Sequence, residues 1–218
     1  RSEESMKAYA QTLSHQLTHL PKCDFCPACV RAKLQRKPAR KILLADRPVY
    51  KSFGEYVCAD HAILNNVKSQ GINGERACLL IWDVGTNYTS FAPLASKSAD
   101  DTERALRAFA GRQKVTLFYT DAAREFKSVA LKMKWLHSQS VPYRHESNGR
   151  TERRLRTCIE GVRTVLANSG LSLKLWPYAA QHFAFCLNVT QSKAGVPTAY
   201  KSRYKHKFAG KLIPFGAL

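Results

Sequence analysis

Residues 115–126 read Val-Thr-Leu-Phe-Tyr-Thr-Asp-Ala-Ala-Arg-Glu-Phe, an apolar, strand-forming run that stops at an acid and gives way at once to helix formers. A strand ending at Asp121 with a helix behind it is the unit of a layered α/β domain, in which ligands bind beyond the carboxyl ends of the strands. The flanks continue the alternation. Upstream, Glu55–Ile63 alternates as a strand and a polar turn runs through Asn65, Asn66 and Gly71. Ala77–Val84 is then continuously apolar, and Gly85-Thr86-Asn87 turns it back into Tyr88–Leu94 as a hairpin. Ser98-x-x-Asp101 has the form of a helix start, and that helix ends at Gly111 with Leu106, Phe109 and Ala110 on one face. Downstream come a short helix over about 126–135, a strand near 138–143, a long helix from about Thr151 to Asn168 and another over Trp176–Val189. The order β-β-β-α-β-α-β-α-α predicts an α/β domain with a mixed sheet flanked by helices.

The chain has 218 residues, with 35 Lys+Arg against 16 Asp+Glu and a formal net charge of +19. Hydrophobic residues at 44% and charged residues at 23% exclude wholesale disorder. The longest apolar run, Ala77–Trp82, is far too short to span a bilayer, and no amphipathic membrane-surface helix accompanies the charge. The basic residues cluster in 31–41 (R-A-K-L-Q-R-K-P-A-R-K), 150–156 (R-T-E-R-R-L-R) and 201–207 (K-S-R-Y-K-H-K). Clustered cations point to a polyanionic partner, nucleic acid, bound through its phosphates with counterion release.

Three acids stand where structure alone would not put them. Asp60 lies inside the otherwise apolar strand Tyr56-Val-Cys-Ala-Asp-His-Ala-Ile63, where a charge costs stability unless paired or metal-bound. Asp121 ends its strand. Glu152 heads the stripe Glu152, Leu155, Ile159, Val162 and Leu166, which would turn its carboxylate inward, away from solvent. Singly, each has a plain alternative: Asp121 as a helix cap, Glu152 as a first-turn acid matching the helix dipole, Asp60 as the partner of a buried arginine. Together, clustered carboxylates need a cation to stay ionised, and hard oxygen ligands select Mg²⁺ or Mn²⁺. Two such ions, about 3.5–4 Å apart, clamp the entering and leaving oxygens of an in-line phosphoryl displacement.

The seven cysteines divide three and four. Cys58, Cys78, Cys158 and Cys186 sit alone in apolar surroundings and read as small buried hydrophobes in a reducing compartment. Cys23, Cys26 and Cys29 crowd beside two histidines. His15-x3-His19 and Cys26-x2-Cys29 supply the two nitrogens and two sulfurs of a structural Zn²⁺ site, with Cys23 as an alternative ligand.

Thr120-Asp-Ala-Ala-Arg-Glu-Phe126 and Val141-Pro-Tyr-Arg-His-Glu-Ser-Asn-Gly-Arg-Thr-Glu-Arg153 resemble two segments of the integrases of retroviruses and long-terminal-repeat retrotransposons. The first is similar to that family's segment around the second aspartate, and the second to its Asn-Gly-x-x-Glu-Arg segment. Asp60 takes the first-strand position, and Leu79-Leu-Ile-Trp-Asp-Val-Gly-Thr86 resembles the second strand and its turn. The resemblance covers about residues 50–205 and implies a ribonuclease-H-like core. In it Asp60 and Asp121 would share one metal, and Asp60 and Glu152 the other. Cys26-Pro-Ala-Cys29-Val-Arg-Ala-Lys33 also resembles the end of the zinc-binding module that precedes such cores, although only six residues separate His19 from Cys26. The core departs from the pattern in having 30 residues between Asp121 and Glu152, fewer than is usual in retroviral members, and in Ala123, where Gly is common.

The organisation expected on this reading is a zinc-binding segment over 1–33, a basic linker over 34–49 punctuated by Pro38 and Pro48, a catalytic core over 50–205, and the start of a truncated C-terminal extension over 206–218. The activity implied is metal-dependent trimming of DNA 3′ ends followed by strand transfer. A decayed or co-opted DNA-binding remnant of such an element is the alternative. Double-stranded DNA would be gripped by Arg150 and Arg153 through phosphates, by Tyr143 and Asn148 at bases or ends, and by Arg36 and Lys37 of the linker. A homo-multimer is implied, acting in the nucleus after release from a longer polyprotein. His61, on the other strand face from Asp60, is expected to be structural, and Trp82, Trp135 and Trp176 to be core.

Overall fold

The computed structural model describes residues 2–18, 21–32, 48–63, 69–140, 149–190 and 195–217. They form two compact units, residues 1–47 and 48–218. The first holds α1 (Glu3–Ala10), α2 (Leu13–Thr18) and α3 (Pro27–Ala32). Ser2 caps α1 by accepting the Ser5 N–H at 3.3 Å, and Pro27 opens α3, where its missing N–H costs nothing. The apolar interior of this unit is small: Ala10 and the three cysteines, with Met6 and Tyr9 packed against them.

The second unit is built on five strands, β1 (Tyr56–Ile63), β2 (Ala77–Asp83), β3 (Thr89–Leu94), β4 (Leu117–Thr120) and β5 (Leu136–Gln139), in the order β3-β2-β1-β4-β5. β1, β2 and β3 pair antiparallel, while β4 and β5 add parallel to β1. Between and after them come α4 (Ala99–Ala110), α5 (Arg124–Met133), α6 (Gly149–Ser169), a 3₁₀ turn (Leu173–Leu175), α7 (Trp176–Thr190) and α8 (Ala199–Tyr204). One sheet face packs Val57, Ala59, Leu79, Ile81 and Phe118 against Leu106 and Phe109 of α4 and Phe126 and Val129 of α5. The other packs Cys78, Leu80 and Phe91 against Cys158, Val162 and Leu166 of α6 and Ala179, Ala180 and Ala184 of α7. Covered on both faces, β2 is buried at every position, which is why Ala77–Asp83 reads as an unbroken apolar run.

The anticipated helix punctuation is present in α4: Ser98 Oγ accepts the Asp101 N–H at 3.1 Å, and Gly111 ends the helix at φ 60°. Two elements differ from expectation. β5 begins at Leu136, directly behind the left-handed Lys134, so the strand starts earlier than its apolar pattern suggests. α8, capped by Thr198, is too short to carry a periodic signal.

Asn188, buried on α7, accepts the Thr89 N–H (2.9 Å) and donates to the Thr89 carbonyl (2.7 Å), fastening that helix to the edge strand. At the same end of β2, next to Trp82 with which Thr89 pairs, Asp83 is fully buried and accepts three hydrogen bonds, from Gly54 N–H (2.9 Å), Thr86 N–H (2.7 Å) and Thr86 O–H (2.6 Å). Gly54 sits at φ 86°, and a Cβ there would collide with the Lys114 carbonyl, so only glycine fits this junction. Asp83→Ala leaves three donors without their acceptor, and is expected to cost about 2–4 kcal/mol, read as a lower urea midpoint at unchanged m-value.

Candidate active site

Strand alternation places Tyr56, Cys58, Asp60 and Ala62 on the β1 face covered by α6 and α7. The last paired residues of β1 and β4 are Cys58 and Tyr119. Two residues further along lie Asp60, still within β1, and Asp121, the residue that follows β4, both toward the carboxyl ends of the two parallel strands. Adjacent strands are roughly 4.8 Å apart, so the two carboxylates are neighbours by register alone. The third comes from the first turn of α6, held down where Thr151 hydrogen-bonds the Cys58 thiol.

The electrostatics report the same convergence. Burial pushes the Asp60 carboxyl up to about 6, and the charges of Asp121 and Glu152 push the same way; the His61 N–H and Lys97 oppose them. Asp121 Oδ1 accepts the Ala123 N–H at 3.1 Å, closing the turn into α5. Ala123 has φ −62° and ψ 140°, an ordinary extended conformation, so alanine in place of glycine imposes no strain here. Glu152 is exposed, contrary to the inward orientation expected from its stripe. The buried face of α6 is Thr151, Cys158, Val162 and Leu166: it shares Val162 and Leu166 with that stripe, but in the first turns Thr151 and Cys158 are buried while Leu155 and Ile159 are half-buried, which leaves Glu152 at the rim. The three carboxylates do not draw together as a single-ion cluster. Among the described residues, the one trio of His, Cys, Asp or Glu ligand atoms all within 4.8 Å of one another is His15, Cys26 and Cys29. An arrangement with Asp60 between the other two needs no Asp121–Glu152 contact. A half-buried carboxyl flanked by two acids suits a hard divalent cation as neutralising partner.

Three other acids of the core, Asp83, Glu125 and Glu146, are possible metal ligands by residue type alone, and the two that are described are engaged elsewhere. Asp83 is the turn lock described above, and Glu125 pairs with Lys97 at 2.8 Å. Glu146 lies outside the described residues, as do His19, Tyr143, Asn148, Arg36 and Lys37. His61 is on the far face, stacked on Phe126 at 4.5 Å with Nε2 3.1 Å from Thr102 Oγ1. Burial pulls its pKa down to about 4, which suits a neutral, structural imidazole.

The arginines of α6 have separate roles. Arg153 and Arg156 are exposed. Arg150, also exposed, lies over the buried Trp82 ring at 5.7 Å. Arg154 turns inward: Nε and Nη2 donate to Thr89 Oγ1 (3.0 and 2.6 Å), Nη2 also donates to the Asn87 carbonyl (3.0 Å), and the guanidinium lies over Trp82. In the first unit His15, Cys26 and Cys29 are all buried, with Cys29 Sγ 3.6 Å from His15 Nε2. Cys23, also buried, instead donates to the Met6 carbonyl at 3.5 Å.

No protein-family model and no curated protein matches the sequence. Solved structures do match. The catalytic core domain of BIV integrase aligns with 70% of this chain and 95% of its own length, at a TM-score of 0.50 and 13% identity. A chain of the simian T-cell lymphotropic virus intasome, solved in complex with PP2A regulatory subunit B56 gamma, aligns with 98% of this chain and 74% of its own length, at a TM-score of 0.61 and 13% identity. The fold is that of a retroviral integrase. At this identity the shared property is the fold, and the mixed five-stranded integrase-like sheet is what brings Asp60 and Asp121 level.

Lys97, Thr151 and Asn188 carried no sequence signal, because what makes them matter is a partner 28 to 99 residues away in the chain. Arg154→Ala is expected to lower stability by about 1–3 kcal/mol by stripping Thr89 and Trp82 of their partner. Arg153→Ala, on the exposed face, should stay within about 0.5 kcal/mol of the wild type in the same thermal melts.

Proposed function

We propose that the chain is an integrase of the retrovirus and retrotransposon kind, catalysing divalent-metal-dependent DNA 3′-end processing and strand transfer. The observation that supports this most directly is the meeting of Asp60 and Asp121 at adjoining strand ends of an integrase fold, with the Glu152 charge felt at Asp60. Asp60 and Asp121 would hold one Mg²⁺ or Mn²⁺ and Asp60 and Glu152 a second, supplying Lewis-acid activation of the attacking oxygen and stabilisation of the leaving one.

The reaction proceeds in two displacements. Water attacks a phosphodiester near the DNA end and frees a 3′ hydroxyl. That hydroxyl then attacks a target phosphodiester, expelling the target strand's own 3′ oxygen, so bonds broken and formed balance without a covalent enzyme intermediate. The chain's residues align and neutralise. Arg150 and Arg153, beside Glu152, contact backbone phosphates, Tyr143 and Asn148 meet the DNA end from the segment before α6, and Arg36 and Lys37 extend the grip through the basic linker. The first unit would be folded by Zn²⁺ on His15, His19, Cys26 and Cys29, with Cys23 as the alternative fourth ligand. Four protein ligands make that site structural. Work as a multimer on two DNA ends, in the nucleus, after release from a longer polyprotein, completes the proposal.

Strand transfer with Mn²⁺ on short duplexes tests it. Asp60→Asn, Asp121→Asn and Glu152→Gln are each expected to lower the rate by at least about a hundredfold while leaving DNA binding intact. A wild type that binds DNA and transfers no strand makes the chain a DNA-binding remnant. For the first unit, anaerobically purified full-length protein is expected to carry about one zinc per chain, lost in Cys29→Ser; a metal-free wild type rejects the site.

A further inference from the structure

The proposed chemistry gives no role to Lys97. Lys97 lies in the loop between β3 and α4, and that loop is tied down tightly. Ser96 donates from N–H and O–H to Asp101 Oδ2 (3.1 and 2.7 Å), the Ser98 N–H donates to Ser96 Oγ (3.2 Å), and the Asp101 N–H donates back to Ser98 Oγ (3.1 Å). A lysine on so fixed a platform is held in place by its backbone and does not depend on its ion pair for position.

That ion pair is to Glu125 in the first turn of α5, Nζ to Oε1 at 2.8 Å, with the lysine side chain 40% exposed and the glutamate 15%. The lysine end is open to water, so the lysine can exchange partners at modest cost, while the Glu125 carboxylate is largely buried, with His61 Nδ1 3.9 Å from the same oxygen. Lys97 also acts electrostatically on Asp60, as the smallest of the influences on that carboxyl. On its other side it lines, with Arg76, Gln70 and Ser96, an open hollow of about 430 Å³ floored by Ile63 and Ala77. The hollow lies where β1 ends and β2 begins, the same end of the sheet as Asp121. Arg76 is exposed and makes no ion pair among the described residues. Two cations beside an acidic cluster, over a hollow open to solvent, match a polyanion whose backbone must approach carboxylates that would otherwise repel it.

We propose that Lys97, with Arg76 beside it, binds a backbone phosphate of the DNA substrate next to the carboxylates, and that Glu125 parks Lys97 until that phosphate arrives. This rests on reading the site as a DNA-processing centre. On binding, the Lys97–Glu125 pair exchanges for a Lys97–phosphate pair, and the glutamate is left to its helix terminus, where a negative charge is tolerated.

Binding of a fluorescein-labelled blunt DNA duplex by the full chain across a salt series tests the assignment. Lys97→Ala, and independently Arg76→Ala, should weaken binding roughly five- to tenfold. Each should also lower the slope of log K against log salt by about 0.9, the loss of one phosphate contact. Glu125→Gln should tighten binding, the opposite of what a purely structural ion pair would do. Lys132→Ala, an exposed lysine paired with Asp100 and Glu103, should change neither quantity. Unchanged slope and affinity in Lys97→Ala, or weaker binding in Glu125→Gln, overturns the proposal while the functional reading stands. A wild-type chain that does not bind the duplex overturns the functional reading itself. Should Lys97→Ala misfold, Lys97→Gln and Glu125→Gln decide.

Discussion

Repulsion between carboxylates at the end of a buried strand is the constraint around which the larger unit is arranged. Asp60 sits in the central strand of the sheet with strands on both sides, and Asp121 joins it by parallel register. Asp60 is held in the β1–β2 ladder opposite Leu80, and Asp121 follows directly on Thr120, the last residue of β4. The upward displacement of the Asp60 pKa, from burial first and its acidic neighbours second, measures how poorly the protein alone accommodates that charge. The surroundings answer with cations: Lys97 and Arg150 near the site, Arg153 and Arg156 on the exposed face of α6, and no acid at all from residue 161 to 218. A net charge of +19 is thus not spread evenly over the chain, and the acidic cluster is set within a basic surface.

Cations turned inward serve the architecture. Arg154 spends its donors on β3 and the turn before it, at Thr89 and Asn87. Arg203 on α8 is enclosed by aromatic rings, 4.0 Å from Phe53, 4.3 Å from Tyr88, 5.0 Å from Tyr204 and 5.1 Å from Phe109, and donates to the Phe109 carbonyl. A half-buried guanidinium over several ring faces is a favourable contact, and here it fastens the short α8 to the helical layer opposite α6. The same residue type therefore does two jobs, and only the surroundings of each side chain distinguish them.

The first unit meets a different limit. Among its described residues, three short helices bury as apolar interior only Ala10 and three cysteines, with Met6 and Tyr9 against them, a small surface from which to draw hydrophobic stability. Its described interior holds thiols and an imidazole, with the ligand atoms of His15, Cys26 and Cys29 all within 4.8 Å of one another, a spacing compatible with zinc.

Much of the fold was legible in the chain because its signals are local. The continuous apolar run of β2, the Ser98 cap and Gly111 stop of α4, and the acid closing β4 each depend on neighbours a few residues away. The acids of the site could be named for the same reason, each being out of place in its own element. What the sequence could not contain was direction and partnership. Glu152 falls on the exposed side because the first turns of α6 pack on Thr151 and Cys158, which is decided by how the helix seats on the sheet. Ala123 proved compatible with its turn only once its backbone angles were known. Arg154, Asn188 and Lys97 acquire their roles from residues brought close by the sheet order β3-β2-β1-β4-β5. Composition and periodicity determined which elements form and which groups carry charge. Tertiary packing alone decided which charges face one another, because Coulomb and hydrogen-bond energies depend on separation in space, and chain order constrains that separation only within a few residues.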